Sequence, residues 1–64
     1  MLHENLKRFR KEKNLSQEEL AKKADVTYST LIKIESGNNQ NPTVKTLQQI
    51  AKALDVTLDD LMKE

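Results

Sequence analysis

The sequence predicts an all-α domain of five short helices. Apolar residues recur at spacings of three and four along most of the chain, the period of helices buried on one face. Ser or Thr stands just before four of these stretches, at Ser16, Thr27, Thr43 and Thr57, where a hydroxyl can cap a helix. One glycine and one proline provide too few tight turns for a small β-barrel or sandwich.

The first helix runs over roughly residues 2–13. Leu2, Leu6 and Phe9 form its apolar side, with Lys7, Arg8, Arg10, Lys11 and Lys13 around them. Three apolar residues are too few to hold this basic helix on a membrane surface. Ser16-Gln17-Glu18-Glu19 is a capping box, in which hydroxyl and carboxylate each take the other residue's backbone N–H. The helix behind it turns Leu20, Ala21 and Ala24 inward and stops near Asp25. Thr27 caps the third helix, about residues 27–36. Leu31 and Ile34 face inward there, and Gly37 fits the left-handed residue after a helix end. Pro42-Thr43 opens the fourth helix, with Val44, Leu47, Ile50, Ala51 and Leu54 as its inward stripe. Thr57 caps the last helix. Asp59 and Asp60 sit in its first turn, and Leu58, Leu61 and Met62 form its apolar face. Asn14, Asp25 and Asp55 fall at the breaks, being non-glycine residues that tolerate the left-handed region.

Composition removes several function classes. A chain of 64 residues forms one domain, residues 1–64, with a small core and no deep cleft. No cysteine is present, so neither a disulfide framework nor a thiolate zinc site can form. The single histidine, His3, cannot make a His metal cluster or a Ser/His triad, and reads as a surface residue. Acidic residues are spaced as solvated helix faces rather than as paired carboxylates. An enzyme, a metal, a cofactor and a small-molecule ligand are therefore not expected. No apolar run spans a membrane and no signal-peptide core follows Met1, which places the chain in the cytoplasm. Net charge is +1 but uneven. Residues 1–33 carry eight basic and five acidic side chains, and residues 34–64 carry three and five. That asymmetry weakly favours a polyanion-facing side.

The informative stretch is about residues 17–36. Two short helices are joined by Asp25-Val26-Thr27. Ala21 is small where the helices cross, and Val26 can plug the corner. This fits a helix-turn-helix, and it also fits an ordinary αα-hairpin with a plain core.

Leu15-Ser16-Gln17-Glu18-Glu19-Leu20-Ala21 resembles the opening of the Cro/C1-type helix-turn-helix family, the phage-repressor-like or XRE family. The likeness continues through Ile34-Glu35-Ser36-Gly37, Asn41-Pro42-Thr43, Leu47-Gln48-Gln49-Ile50-Ala51-Lys52-Ala53-Leu54 and Val56-Thr57-Leu58-Asp59-Asp60-Leu61. It covers residues 5–62. It implies a five-helix, lambda-repressor-like domain that binds double-stranded DNA as a transcriptional regulator, a repressor, with the third helix in the major groove.

On that resemblance, Gln17 bonds a phosphate from the start of the second helix, where free N–H groups favour an anion. The alternative is a tolerated first-turn residue. Thr27, Tyr28, Ser29 and Lys33 face the groove, and Thr30 lies at the backbone edge. Tyr28 can also pack on its own helix, and Lys33 can reach guanine or fall back to a phosphate. Ile32, apolar where the family is usually polar, reads as one exposed aliphatic residue. Ser36, Asn38 and Asn39 form a phosphate-gripping loop or a solvated turn. Lys45, a cation against the dipole of the fourth helix, suits a nearby phosphate or the open surface. Arg10 and Glu35 form a partly buried ion pair that orients the third helix.

The resemblance also implies a homodimer on an inverted repeat, formed in solution or only on DNA, in the cytoplasm at the nucleoid. Leu58, Leu61, Met62 and the outer side of the fourth helix are candidate contacts. An antitoxin-type module that grips a protein through the same scaffold is the competing reading.

Overall fold

A computed structural model describes all residues from Met1 to Glu64. It contains five helices: α1 (Leu2–Glu12), α2 (Gln17–Ala24), α3 (Tyr28–Glu35), α4 (Val44–Leu54) and α5 (Leu58–Met62). α1 packs on α3 and α5, and α2 packs on α3 and α4. α4 and α5 close the bundle. Leu6, Leu20, Leu31, Ile34, Ile50, Leu54 and Leu61 form the fully buried centre. Ala21, Ala24, Ala51 and Ala53 complete it with small side chains that let helices approach closely.

Three of the turns follow one three-residue plan. Asn14, Asp25 and Asp55 adopt φ of 57°, 57° and 58°. An apolar residue comes next, Leu15, Val26 or Val56, and packs against the core. Its N–H closes back onto the ending helix, as in Val26 to the Ala21 carbonyl and Val56 to the Ala51 carbonyl, both at 3.0 Å. Ser16, Thr27 or Thr57 then caps the following helix through its hydroxyl. Each helix end thus passes directly into the next helix start. The α3–α4 connection differs. Gly37, at φ 84°, opens a longer loop over residues 36–43.

Side chains tie the ends of the chain down. The Asn5 amide, buried on α1, donates to the Leu61 carbonyl at 2.9 Å and to the Lys63 carbonyl. It satisfies carbonyls that a helix end leaves free. Arg8 lies over the Phe9 ring, 4.8 Å from its centroid.

Several expectations need correction. The third helix is shorter by one residue at each end, because Thr27 and Ser36 are its caps. Val44 is 60 % exposed and lies outside the inward stripe, while Leu47, one turn on, is buried. Met62 is 49 % exposed, so the inner face of α5 rests on Leu61 with Leu58 half-buried. Leu61 is 0 % exposed and belongs to the core, which removes it from the candidate dimer contacts. Ile32 is half-buried rather than open. His3 is also half-buried, because its ring lies over Gly37. A Cβ at that glycine would come 3.8 Å from the imidazole.

Candidate nucleic-acid interface

The face of interest is built on α3. Its inner side is Leu31, Ile34 and Glu35, all buried. Its outer side is Tyr28, Ser29 and Lys33, all exposed. Ser29 and Lys33 are four residues apart and share one face, with Ser36 a further turn along.

One ion pair ties this helix to α1. Arg10 Nε donates to Glu35 Oε2 and Arg10 Nη2 to Glu35 Oε1, each at 2.8 Å. Arg10 Nη1 donates to the Leu15 carbonyl at 2.7 Å. The Glu35 carboxylate is 2 % exposed. A buried carboxylate needs such partners, since burying an unpaired charge is costly. The expected Arg10–Glu35 pair is therefore present in bidentate form, and it joins α1, the α1–α2 turn and α3.

Gln17 is drawn into the same group. Its amide donates to Glu35 Oε1 at 3.4 Å, which leaves its second N–H free. The first turn of α2 also carries Glu18 and Glu19. An anion there meets acids, so a Gln17 contact has to come from the amide rather than from the helix end.

Hydroxyl bookkeeping separates the other candidates. Thr27 Oγ1 accepts from the Thr30 N–H at 3.1 Å and donates to Thr30 Oγ1 at 2.7 Å. Its proton is committed to the cap. The half-buried Thr30 keeps its own hydroxyl proton free to donate. Ser36 Oγ donates to the Lys33 carbonyl at 3.1 Å and accepts from the Asn38 N–H at 3.4 Å. Asn39 is half-buried, and its Oδ1 accepts from the Asn41 N–H at 3.1 Å. These bonds shape the loop. The Asn38 side chain is exposed and makes no hydrogen bond within the chain, and the Asn39 side-chain amine also stays unpaired, so both keep open donors.

The start of α4 repeats the arrangement at the start of α3. Thr43 Oγ1 accepts from the Thr46 N–H at 3.1 Å and donates to Thr46 Oγ1 at 2.9 Å. Thr46 was not singled out in the sequence, although Thr27-x-x-Thr30 and Thr43-x-x-Thr46 are the same motif. Lys45 is exposed beside it.

Charge at the helix starts is sorted in the same way. α2 and α5 are capped through carboxylates, Glu19 and Asp60. The Ser16 backbone N–H and then its hydroxyl-based contact hold the Glu19 carboxyl below the usual range. The Thr57 backbone N–H does the same for Asp60, helped by the Thr57 side chain and Lys63. α3 and α4 have no acid in their first turns. Each presents the positive end of a helix dipole with an uncharged cap.

Two consecutive helices crossed at a tight turn, the second exposing a polar face, define a helix-turn-helix domain. Comparison with known proteins agrees. A family model described as Helix-turn-helix matches residues 6–61. The chain belongs to the helix-turn-helix family, of Cro/C1 type. The HTH-type transcriptional regulator SinR of Bacillus subtilis (strain 168) is 39 % identical over 64 residues, which is 100 % of this chain and 58 % of that protein. The chain thus spans little more than half of SinR. A crystal structure of SinR in complex with DNA superposes with a TM-score of 0.95 at 38 % identity, covering 98 % of this chain and 100 % of that one. A SinR–SinI protein complex superposes with a TM-score of 0.96 at 39 % identity, covering 100 % of this chain and 62 % of that one.

Proposed function

We propose that this chain binds double-stranded DNA sequence-specifically and regulates transcription as a repressor, with α3 in the major groove. The observation that carries this is the polar outer face of α3, with helix starts free of acids at α3 and α4. Tyr28, Ser29 and Lys33 stand free on α3, and the starts of α3 and α4 are kept clear of acids. An acid-free helix start favours a phosphate nearby, through the helix dipole and the absence of like-charge repulsion. The SinR–DNA structure supports the same reading.

Within this proposal, Tyr28, Ser29 and Lys33 face base edges. Gln17, Thr30 and Asn38 donate to phosphates, and Thr27, Ser36 and Asn39 hold the donors in place. Arg10 and Glu35 fix the helix angle. One such module covers only about 600–1,000 Å², so the protein works as a homodimer on an inverted repeat. Met62 is exposed and Leu58 half-buried, which leaves both available to a second copy on the α5 side. No helix is long and apolar enough to cross a membrane, in keeping with action in the cytoplasm at the nucleoid. The mechanism calls on no cofactor.

A second reading has one observation in its favour. Exposed Met1 and Met62 rim a cavity of about 270 Å³, lined also by Leu2, His3 and Ile34. Asn39, Gln40 and Glu64 line it as well, and a mixed rim with two exposed methionines suits a protein partner; the SinR–SinI complex gives a relative with one.

Fluorescence anisotropy with a labelled random-sequence duplex separates the two. Binding that weakens steeply from 50 to 200 mM salt, as phosphate contacts require, supports the DNA reading. No binding at 50 mM salt overturns it.

A further inference from the structure

The loop between α3 and α4 carries no charge of its own. Residues 36–43 include neither an acid nor a base. On one side, main-chain bonds fold the start of this loop onto α3. The Gly37 N–H donates to the Ile34 carbonyl at 3.1 Å, and the Asn39 N–H to the Lys33 carbonyl at 3.0 Å. On the other side stands His3. From the point that a Gly37 Cβ would occupy, imidazole Cγ and Nδ1 are 3.8 Å away and Cδ2 is 3.9 Å away. Near-equal distances to three joined ring atoms set the glycine against the face of the ring, not its edge. Gly37 holds φ 84°, so the bend of the loop and the ring contact fall on one residue. His3 is half-buried, and it is the single histidine of the chain.

We propose that His3 is a positioning residue for DNA binding. Its ring fixes the start of the loop that carries Asn38, and a proton on the ring tightens the grip on phosphate. This rests on the DNA-binding reading above. Histidine is the side chain that changes charge between about pH 5 and 8. An imidazolium here sets one cation against a loop that has none.

The charges around the ring come from three elements. On α1, Lys7 lies one turn along on the same side. The Met1 amine lies 3.8 Å from Glu4 Oε1. The start of α1 opposes a cation, and the negative end of the α3 dipole favours one. Beyond α5, Glu64 lines the same cavity as His3 and brings a carboxylate to it. The two sets oppose each other, and a duplex adds anions to the favourable one. One added cation near a phosphate, partly screened, is worth about two- to fivefold in affinity.

The test is binding of the 64-residue protein to a labelled duplex, followed by fluorescence anisotropy from about pH 8 to pH 5.5 at constant salt. The protein is expected to bind about two- to fivefold more tightly at the acid end. His3→Gln takes up no proton and is expected to flatten the profile. His3→Phe keeps a flat ring over Gly37 without the charge. It should match the unsubstituted protein at the alkaline end and gain nothing in acid. His3→Ala, which lacks the ring, should bind more weakly than His3→Phe at every pH. Urea melts confirm that the three variants fold. A flat profile in the unsubstituted protein, or the same slope in His3→Gln, would overturn the proposal while leaving DNA binding intact. His3→Ala binding as tightly as His3→Phe would do the same. Absence of binding to any duplex at low salt would overturn both.

Discussion

Arg10 and Glu35 meet side-on, with two parallel N–H donors from one guanidinium on the two oxygens of one carboxylate. The pair lies beneath α3 and joins it to α1. The Arg10 side chain is 13 % exposed and that of Glu35 is 1 % exposed, so neither charge is free to find water when the other is removed. Arg10→Ala is therefore expected to cost about 3 kcal/mol, the order seen when a buried pair loses one partner. Urea melts check this. The variant that remains folded should lose much less in its DNA contacts, and unchanged stability would remove the pair from the account.

The left-handed aspartates carry two penalties. Asp25 and Asp55 hold a positive φ, and each places a carboxylate at the negative end of a helix. Asp25→Gly and Asp55→Gly are each expected to raise stability by about 0.5–1 kcal/mol, after allowing for glycine's greater freedom when unfolded. Asp25→Val, β-branched, is expected to lower it by at least about 1 kcal/mol. Thermal melts give the order of the three.

The uncharged caps of α3 and α4 predict a trade between stability and binding. Thr30→Asp and Thr46→Asp convert them into the carboxylate boxes found on α2 and α5. Each variant is expected to gain about 0.5 kcal/mol of stability from the dipole. Each is expected to lose about fivefold or more in DNA affinity at low salt, from one added charge near a phosphate. Affinity unchanged in both would take the two helix starts out of the interface.

Acid should loosen the helix starts that carry carboxylates. Glu19 and Asp60 have folded pKa values below the ordinary range. A lowered folded value means that their contribution is fully present above the ordinary range and is lost as pH falls through and below it. Glu19→Gln and Asp60→Asn should each flatten that part of the stability curve while leaving neutral-pH DNA binding in place. Stability measured from pH 7 down to pH 2 checks the slope.

Asn5 predicts where the bundle opens first. Asn5→Ala leaves the Leu61 and Lys63 carbonyls without their donor. A loss of about 2 kcal/mol is expected. Amide exchange should speed up along α5 and stay slow in α2 and α3.

Much of this was legible in the residues because it is local. Capping hydroxyls, left-handed Asn and Asp, and the 3–4 apolar stripes act within a few positions of one another. The helix starts after Ser16, Thr27, Thr43 and Thr57 follow from them. What escaped depends on distance through space. Val44 has the spacing of a core residue, yet it is exposed. Leu61 and Met62 are neighbours in sequence, and only the packing of α1 and α4 on α5 decides which is buried. His3 is near one end of the chain, yet Gly37 sits against its ring. The site divides in the same way. The Arg10–Glu35 pairing came from family likeness, and no spacing rule links positions 25 residues apart. The commitment of the Ser36 and Asn39 side chains to loop bonds needed coordinates.

If the α3 face and the two acid-free helix starts meet DNA, their backbone amides respond to it. Backbone amides of ¹⁵N-labelled protein, followed by NMR during titration with a random-sequence duplex at two salt concentrations, test this contact most directly. Shifts are expected at Gln17, residues 27–33, 36–39 and 44–46, fading as salt rises. No shifts at low salt, or shifts confined to Met1, Leu2, His3 and Met62, would contradict it and turn attention to a protein partner on the mixed rim.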